Sequence, residues 1–379
     1  MMLLHLLGDA ALMLGLVGSA YAVAAGVFAG RLGKASPSAA SDPPGLTLLK
    51  PLRGGEIGLQ SNLESFLGQD YAGPVQMVCG VQDPGDPALE AVEAVRRAHP
   101  DAEIAVVIDP AVHGANRKVS NLINMLASAR HETLVLSDAD IAVRPQYLAR
   151  VASALAEPGV GAVTCYYRGQ ARAGPASVLA AMGVSYGFMP NVILGVALGL
   201  AKPCMGSTIA IRRRTLEAIG GLEALNDVLM DDYDIGRAVR AKGWRVALPA
   251  FLVDHGCSET SLGEVIAHEM RWAVTVRMID PAGHVGSVVT HALAWALIGV
   301  ILTAGAPAGW AILILAMACR LWLKWRIDHA AGASSGSALL LPIRDIMSFA
   351  IFSASLFARA VYWRGERFRV SSDRTMSPA

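Results

Sequence analysis

The chain has 379 residues, of which 54% are hydrophobic and only 17% are charged, whereas roughly 25% of the residues of an ordinary soluble domain are charged. The net charge of +1 gives no broad basic surface, which argues against a general nucleic-acid binder. The five cysteines are odd in number and include no CxxC pair, so the composition argues against a disulfide framework or zinc site and favours a reducing compartment. The apolar excess is concentrated at the two ends of the chain and indicates membrane segments.

The first 30 residues have the length and composition of a transmembrane anchor. Residues 1–30 are mostly apolar and could cross a hydrocarbon core of about 30 Å. Arg31 and Lys34 follow directly, and such basic residues stay on the cytoplasmic side, so the next part of the chain is expected in the cytoplasm. The SAYA sequence at residues 19–22 resembles a cleavage site, but the basic start of a signal peptide is missing. We therefore predict an uncleaved anchor and, over residues 31–45, a linker.

Residues 46–284 predict a cytosolic α/β domain in which strands and helices alternate. The expected strands are Leu46–Lys50, Val75–Val81, Glu103–Asp109, Thr133–Ser137 and Val160–Tyr166. Helices are expected near Ile57–Leu67, Pro87–His99, Asn116–Ala129 and Pro145–Ala156. Short apolar strands joined by right-handed crossovers give a Rossmann-like, doubly wound, mostly parallel sheet with a ligand crevice beyond the carboxyl ends of its strands. The sequence contains neither a GxGxxG fingerprint nor a P-loop.

Two carboxylates follow the fourth expected strand, in the sequence TLVLSDADIAV. Asp138 and Asp140 are separated by one alanine, and their mutual repulsion at a buried strand end needs an explanation. Mg²⁺ or Mn²⁺ prefers oxygen ligands and binds through one or two carboxylates together with substrate phosphates. The pattern indicates a metal–diphosphate site in which Asp140 binds the metal and Asp138 faces the metal or a ribose. A solvated turn is the alternative.

A second acidic cluster lies in LMDDYDIG, residues 229–236. Asp231 and Asp232 would occupy the first turn of a helix, where acidic residues also favour the helix dipole. Stabilisation of the helix start is the stronger interpretation for Asp231. For Asp232 we predict a general base that takes a proton from an acceptor hydroxyl.

The apolar stretch 176–201 is long enough to cross a membrane. If it did so, Asp138 and Asp232 would lie on opposite sides of the bilayer, although a bound donor and its base must meet within hydrogen-bonding reach. We therefore predict that this stretch is interfacial and helps to admit a lipid acceptor. The CMGST sequence at residues 204–208, which follows it, is expected to line the acceptor site.

The third cluster is HEMRW, within an expected helix Ser261–Arg277. His268, Arg271 and Trp272 lie on one face of that helix. A guanidinium beside an indole offers positive charge and a flat wall, which suit a departing diphosphate and a bound sugar or nucleotide. The alternative is a helix at the membrane interface, with a snorkelling arginine and an aromatic belt residue.

The carboxyl-terminal part of the chain predicts further membrane segments. Residues 285–325 are expected to form a transmembrane hairpin of two spans, Val285–Ala304 and Ala308–Leu323. A third apolar segment, residues 338–363, precedes a polar tail, residues 364–379. The closing basic residues favour a cytoplasmic tail, which a third complete span would not allow. The segment is therefore either interfacial or re-entrant, or the tail lies outside.

Taken in order, these motifs resemble those of the GT-A glycosyltransferases that act on lipids, most closely the ceramide glucosyltransferase-like family. The corresponding positions are Asp83 in VQDPGDPA, Asp138 in SDADI, Asp232 in DDY, and the HEMRW sequence. The last motif departs from the family pattern [QR]xxRW, because His268 replaces Gln or Arg. HGANRKVSNL (113–122), HEMRW and LPIRDIMSF (341–349) are most similar to the bacterial hopanoid-biosynthesis-associated glycosyltransferases.

The resemblance implies an inverting transfer from a UDP-sugar to a lipid hydroxyl, with Mg²⁺ or Mn²⁺ as cofactor. Asp83 would lie by the uracil or ribose, and Lys118 near the nucleotide, although a solvated helix start is an alternative for Lys118. Asp140 and Asp138 would hold the metal. The remaining expected catalytic residues are Asp232, Arg271, Trp272 and His268.

The implied reaction is transfer of N-acetylglucosamine from UDP-GlcNAc to bacteriohopanetetrol, by a multi-pass protein of the bacterial inner membrane with a cytoplasmic catalytic domain. Transfer of glucose from UDP-glucose to ceramide is the nearer alternative. A non-catalytic membrane binding protein or transporter is a remote one, because the carboxylates concentrate in the middle of the chain rather than in its spans.

Overall fold

The structure, a computed structural model, describes residues 2–33 and 43–358 and the backbone of residues 361–363, 366–370 and 376–378. The strands are β1 (Leu46–Pro51), β2 (Val75–Val81), β3 (Glu103–Ile108), β4 (Thr133–Leu136), β5 (Ile141–Ala142), β6 (Val160–Val163), β7 (Tyr166–Ala171), β8 (Ile209–Arg212), β9 (Arg245–Ala247), β10 (Leu252–Cys257), β11 (Val361–Trp363), β12 (Glu366–Val370) and β13 (Met376–Pro378). The helices are α1 (Met2–Ala29), α2 (Leu59–Leu67), α3 (Ala88–Ala98), α4 (Arg117–Leu126), α5 (Tyr147–Ala156), α6 (Pro175–Gly183), α7 (Met189–Ala197), α8 (Arg213–Ala218), α9 (Asp231–Ala241), α10 (Leu262–Ile279), α11 (Pro281–Gly286), α12 (Ala292–Leu302), α13 (Pro307–Ala331) and α14 (Leu341–Ser355). A π-helical turn, Val184–Phe188, joins α6 to α7.

A seven-stranded sheet in the order β3-β2-β1-β4-β8-β6-β9 forms the centre of the α/β domain. Strands β3, β2, β1 and β4 run parallel, β8 is antiparallel to both β4 and β6, and β6 pairs in parallel with β9. The residues of β4 are buried throughout, as expected for a strand covered by helices on both faces. The predicted α/β fold with a mostly parallel sheet is confirmed; the antiparallel strand β8 was not predicted.

A second, three-stranded sheet has the order β5-β10-β7. The predicted strand Val160–Tyr166 is divided between the two sheets, because β6 ends at Val163 and β7 begins at Tyr166. Between them the Thr164 hydroxyl donates to the Met205 carbonyl oxygen at 3.1 Å. Strand β10 is antiparallel to β5, and this pairing sets His255 opposite Ile141, beside the second aspartate of the DAD sequence.

Among the described residues, four helical segments are long and apolar enough to cross a membrane: Met2–Ala29, Pro175–Ala197, Pro307–Ala331 and Ala338–Ser355. The helix pair Pro281–Thr290 and Ala292–Leu302, bent by 61°, is a fifth candidate. Helix α1 packs against α12 and α13. Gly18 of α1 lets the backbone around Val289 approach this helix closely, since a Cβ at position 18 would stand 2.6 Å from the Val289 carbonyl oxygen.

Two of the predicted membrane segments are irregular in the structure. The chain of the expected span Val285–Ala304 bends at His291. The helix within the third segment, residues 338–363, ends at Ser355. Arg277 of α10 donates to the carbonyl oxygens of Ser355 and Leu356, both at 2.5 Å, and so satisfies backbone groups that the helix end leaves free. Residues 34–42 of the predicted linker lie outside the described residues, and of the predicted polar tail only the backbone of β12 and β13 is described.

The apolar segment α6–α7 is inserted between strands of the two sheets. Strand β7 precedes the segment, and strand β8 of the central sheet follows it. The largest buried aromatic side chain of the segment is Tyr186, which is 1% exposed. Both ends of the segment therefore connect to strands of the α/β domain.

Candidate active site

A cavity of about 1130 Å³ lies beyond the carboxyl ends of β1, β2 and β4. The structure brings all eight predicted site residues to its walls: Asp83, Lys118, Asp138, Asp140, Asp232, His268, Arg271 and Trp272. We call it the donor cavity. Residues 204–207 of the CMGST sequence also line it.

Lys118 links two of the acidic clusters. The Asn116 side chain accepts hydrogen bonds from the backbone N–H groups of Lys118 and Val119 and so fixes the start of α4. From there Lys118 Nζ lies 2.7 Å from Asp138 Oδ1 and 3.2 Å from Asp231 Oδ2. Burial alone would lower the pKa of Lys118, but the neighbouring carboxylates outweigh it and raise the pKa above its usual value. The lysine is therefore charged at neutral pH.

Asp140 and His255 form a pair that sequence reasoning missed. His255 Nε2 lies 3.3 Å from Asp140 Oδ2, whereas Asp140 Oδ1 is buried and has no hydrogen-bond partner among the described residues. Burial raises the pKa of Asp140, and nearby Asp138 adds to the rise, whereas His255 opposes it. An unpartnered carboxylate oxygen beside an imidazole is a donor set that fits a divalent cation. The signal in the sequence was an Asp-His pair inside the otherwise apolar run FLVDHGC.

Protein ligands alone would not complete such a metal site. The described part of the chain contains no group of three or more His, Cys, Asp or Glu side chains arranged to hold a metal ion. Mg²⁺ and Mn²⁺ commonly take their remaining ligands from water and substrate phosphates. The pair of Asp140 and His255 therefore fits a cation that binds together with a diphosphate.

A buried lysine lies directly beneath the DAD sequence and was also missed. Lys50, at the end of β1, is fully buried, and its Nζ donates to Ser137 Oγ at 3.2 Å and to the Asp138 carbonyl oxygen at 2.9 Å. The Phe66 ring covers the ammonium group at 3.8 Å. Burial lowers the pKa of Lys50 to about 7, although Asp138 and Asp140 oppose the shift. The lysine therefore holds the backbone of the acidic turn. In the sequence, the feature that could have indicated it is a charged residue at the end of the otherwise apolar strand LTLLK.

Asp232 lies at the first turn of α9, as predicted, and faces the donor cavity. Its Oδ2 accepts from the Gly206 N–H at 2.9 Å, and its Oδ1 accepts from the Tyr233 N–H at 2.7 Å. The Gly206 carbonyl oxygen in turn accepts from the Asp138 N–H at 3.3 Å, so a single glycine connects the two acidic clusters. Burial, together with the charge of Asp231, raises the pKa of Asp232 to about 6. A carboxylate with this pKa is suited to general base catalysis near neutral pH.

Asp83 stands apart from the other acidic residues, at the exposed lip of the donor cavity. Its Oδ1 accepts from the Gly85 N–H at 2.8 Å, which stabilises the turn after β2. The position is open to a ligand that enters from solvent.

An aromatic cluster closes one side of the donor cavity. Trp272 lies 5.3 Å from Phe188 and 4.9 Å from His268 between ring centroids. His268 Nδ1 lies 2.5 Å from Glu259 Oε1, which fixes the orientation of the imidazole. Arg271, on the same helix, lines the donor cavity. The helix face predicted from HEMRW is therefore directed at the site, and its histidine is held by a carboxylate.

A second cavity, of about 620 Å³, adjoins the donor cavity on the far side of these rings. Phe188, His268 and Trp272 line both cavities. The second cavity lies between the α6–α7 segment, α10 and α14. The α6–α7 segment and the segment that contains α14 are long and apolar enough to cross a membrane. The site thus joins a polar, acidic compartment to a mostly apolar one.

Comparisons with known proteins agree with this arrangement. The chain is 25% identical to ceramide glucosyltransferase 1 of Caenorhabditis elegans over 206 residues, which cover 54% of the chain and 44% of the relative. It is 23% identical to ceramide glucosyltransferase 3 of the same organism over 241 residues, or 61% of the chain and 50% of the relative. The chain therefore matches about half the length of each of these relatives.

Among solved structures, the mannosyltransferase PcManGT from Pyrobaculum calidifontis, in complex with GDP-Man and Mn²⁺, is similar with a TM-score of 0.50 and 21% identity. The match covers 92% of this chain and 97% of that one, and it confirms the GT-A fold. The family model described as Glycosyl transferase family 21 matches residues 10–376. The chain therefore belongs to glycosyl transferase family 21, the ceramide glucosyltransferase-like family.

Proposed function

We propose that the protein transfers a hexosyl group from a UDP-sugar to the hydroxyl of a membrane lipid, with inversion at the anomeric carbon. The observation that carries the proposal is the shared wall of the two cavities. The carboxylates of Asp140 and Asp232 face the polar donor cavity, and an apolar cavity begins directly behind Trp272. A water-soluble donor and a lipid acceptor can therefore meet at one point.

The donor would occupy the acidic compartment. Asp83 at the lip of the cavity would contact the uridine, and the ammonium group of Lys118 would approach the nucleotide. Asp140 and His255, assisted by Asp138, would hold Mn²⁺ or Mg²⁺, and this carboxylate–imidazole set favours Mn²⁺. When bound, the cation supplies positive charge to the diphosphate oxygens. The binding of GDP-Man and Mn²⁺ by PcManGT supports this assignment.

Asp232 would act as the general base. It takes the proton of the lipid hydroxyl while the hydroxyl oxygen forms a bond to the anomeric carbon, and the bond from that carbon to the diphosphate oxygen breaks. UDP leaves with the electron pair of that bond. Arg271 places positive charge near the departing diphosphate, and Trp272 and His268 exclude water from the acceptor side. A pKa of about 6 leaves Asp232 mostly ionised at pH 7.

For the specific reaction we propose transfer of N-acetylglucosamine from UDP-GlcNAc to bacteriohopanetetrol, on the basis of the HEMRW and LPIRDIMSF sequences. A second candidate is transfer of glucose from UDP-glucose to ceramide, which the identity to the two Caenorhabditis elegans ceramide glucosyltransferases favours. We further propose that the protein is a multi-pass protein of the bacterial inner membrane with its catalytic domain in the cytoplasm. The basic residues Arg31 and Lys34 support this orientation.

The test is to incubate the purified full-length protein with both lipids, both UDP-sugars and Mn²⁺, and to identify the lipid products by mass spectrometry. The Asp232→Asn variant should lose transfer by at least about a hundredfold, since general bases contribute this much or more, while it still binds the UDP-sugar. Full turnover by that variant would remove Asp232 from the role of base. If the wild-type protein glycosylates neither lipid, the proposed reaction is wrong.

A further inference from the structure

Arg344 of α14 is the most unusual group in the second cavity. It is 3% exposed, and its Nη2 donates to Glu269 Oε1 at 2.5 Å. Its Nε and Nη1 are also buried but have no hydrogen-bond partner among the described residues. Buried guanidinium nitrogens are rarely left without partners, because the lost hydration is not compensated. The two nitrogens therefore indicate an acceptor atom that the chain itself does not supply.

The neighbouring Arg320 shows what a purely structural arginine looks like in the same cavity. Its Nε and Nη2 donate to the two carboxylate oxygens of Asp345, both at 2.7 Å, and Nη2 also donates to the Tyr186 carbonyl oxygen at 2.9 Å. This bidentate pair joins α13 to α14. Both arginines line the second cavity, but only Arg344 has buried donors without partners.

The position of Arg344 connects two sequence motifs that the catalytic assignment leaves unrelated. Arg344 lies in LPIRDIMSF, and Glu269 lies in HEMRW, three residues before Trp272. The ion pair packs against the backbone of α6, because a Cβ at Gly183 would stand 2.0 Å from Arg344 Nη2. The unpartnered donors are thus held rigidly at the junction of α6, α10 and α14.

The charges around the second cavity restrict what can bind there. Its walls include two arginines, Arg320 and Arg344, and four carboxylates, Glu259, Glu269, Asp280 and Asp345. Glu259 Oε2 is also buried and without a hydrogen-bond partner in the described part of the chain. A phosphate head group would meet an excess of negative charge. An uncharged head with both hydroxyl or amide donors and oxygen acceptors matches the unpartnered groups.

We propose that the second cavity is the binding site of the acceptor lipid and that Arg344 Nε and Nη1 donate hydrogen bonds to an oxygen of its head. The proposal rests on the proposed function, because it requires a lipid acceptor. The aliphatic part lies against the apolar walls of the α6–α7 segment, and the reacting hydroxyl passes Phe188 and Trp272 towards Asp232. Arg344 thereby determines which lipid oxygens reach the donor cavity.

The kinetic test compares Arg344→Lys with Arg326→Lys, using whichever of ceramide and bacteriohopanetetrol the wild-type protein glycosylates. Arg326 lies on α13 and lines neither cavity, and its Nε donates to the Gly26 carbonyl oxygen at 3.0 Å. A lysine at position 344 can keep the pair with Glu269 but loses the forked donors. We expect the KM for the lipid to rise about tenfold or more, while the KM for the UDP-sugar and the slow hydrolysis of the UDP-sugar in the absence of lipid stay within about twofold. Arg326→Lys should leave the KM for the lipid unchanged, because this arginine is remote from both cavities.

An unchanged lipid KM in Arg344→Lys, or an equal rise in Arg326→Lys, would overturn the proposal without touching the proposed function. The wild-type protein provides an independent test that does not depend on a variant that folds. It is irradiated with the same lipid carrying a diazirine in its tail, and the labelled peptides are mapped. We expect labels on walls that belong to the second cavity alone, such as Leu194 and Ile351. Labels confined to other surfaces would contradict the site, and absence of any lipid product from the wild type would remove the function on which it rests.

Discussion

The pH dependence of the reaction should follow the ionisation of Asp232, and the charges around it allow the sign to be tested. Because burial and Asp231 raise the pKa of Asp232 to about 6, the base is ionised above that pH and protonated below it. The value of kcat/KM should therefore be constant above about pH 7 and fall about tenfold for each pH unit below about 5.5. The assay measures lipid product across pH 5 to 8 at saturating Mn²⁺, with the UDP-sugar varied.

Asp231→Asn removes the negative charge that adds to the raised pKa. The acid limb of the profile should then move to lower pH by about one unit, which makes the variant relatively more active than the wild type at pH 5. Asp234→Asn is the matched control, because Asp234 lies on the same helix but pairs with Arg237 at 2.6 Å. The acid limb of the pH profile of this variant should stay near pH 6. A flat wild-type profile, or a limb that moves to higher pH in Asp231→Asn, would refute the reasoning.

Three further changes test the site and its supports. His255→Ala should weaken Mn²⁺ binding, measured calorimetrically with UDP present, by at least about tenfold, and unchanged Mn²⁺ affinity would exclude the histidine from the site. Lys50 has a pKa of about 7 in the folded protein and a higher one when unfolded, so the unfolded state binds more protons above pH 7. The difference in unfolding free energy between the wild type and Lys50→Met, measured by chemical denaturation, should therefore change in favour of the wild type as the pH rises from 7.5 to 9. The expected slope is up to about 1.4 kcal/mol per pH unit. A difference that does not change with pH would contradict the lowered pKa of Lys50. Gly183→Ala should destabilise the protein by about 1–3 kcal/mol in thermal unfolding, because the new Cβ would overlap the Arg344 side chain. Gly187→Ala is the control and should be neutral in that experiment, since its Cβ would stand 3.9 Å from the nearest neighbouring atom.

The central sheet could be predicted because its strands carry their own signal. Strands β1 to β4 are short apolar runs bounded by polar residues, and their observed limits differ from the predicted ones by one residue or less. The rule that carboxyl ends of parallel strands share one edge of a sheet also places Asp83 and Asp138 at the same edge. The meeting of Asp138 with Asp232 and the HEMRW helix was expected only from the family resemblance of these motifs and from the need for donor and base to meet.

His255 could not be found in the same way, because its importance depends on a pairing between distant segments. Strand β5 has two residues, and only its antiparallel register with β10 brings His255 to Asp140. No periodicity marks so short a strand. The bend at His291 was not predicted for a related reason. Mean hydropathy reports the composition of a segment and not the direction of its helix axis. At the bend, Trp295 Nε1 donates a hydrogen bond to the Val288 carbonyl oxygen at 2.9 Å.

The indole of Trp272 has a consequence for how the two substrates influence each other. Because the Trp272 side chain lines both cavities, a displacement of its ring towards one cavity takes space from that cavity and adds space to the other. Under the proposed function, a substrate that displaces the ring on binding couples its own affinity to that of the other substrate, and thermodynamic reciprocity makes the factor the same in both directions. The affinity measured for the nucleotide alone then differs by that factor from its affinity in the presence of the lipid.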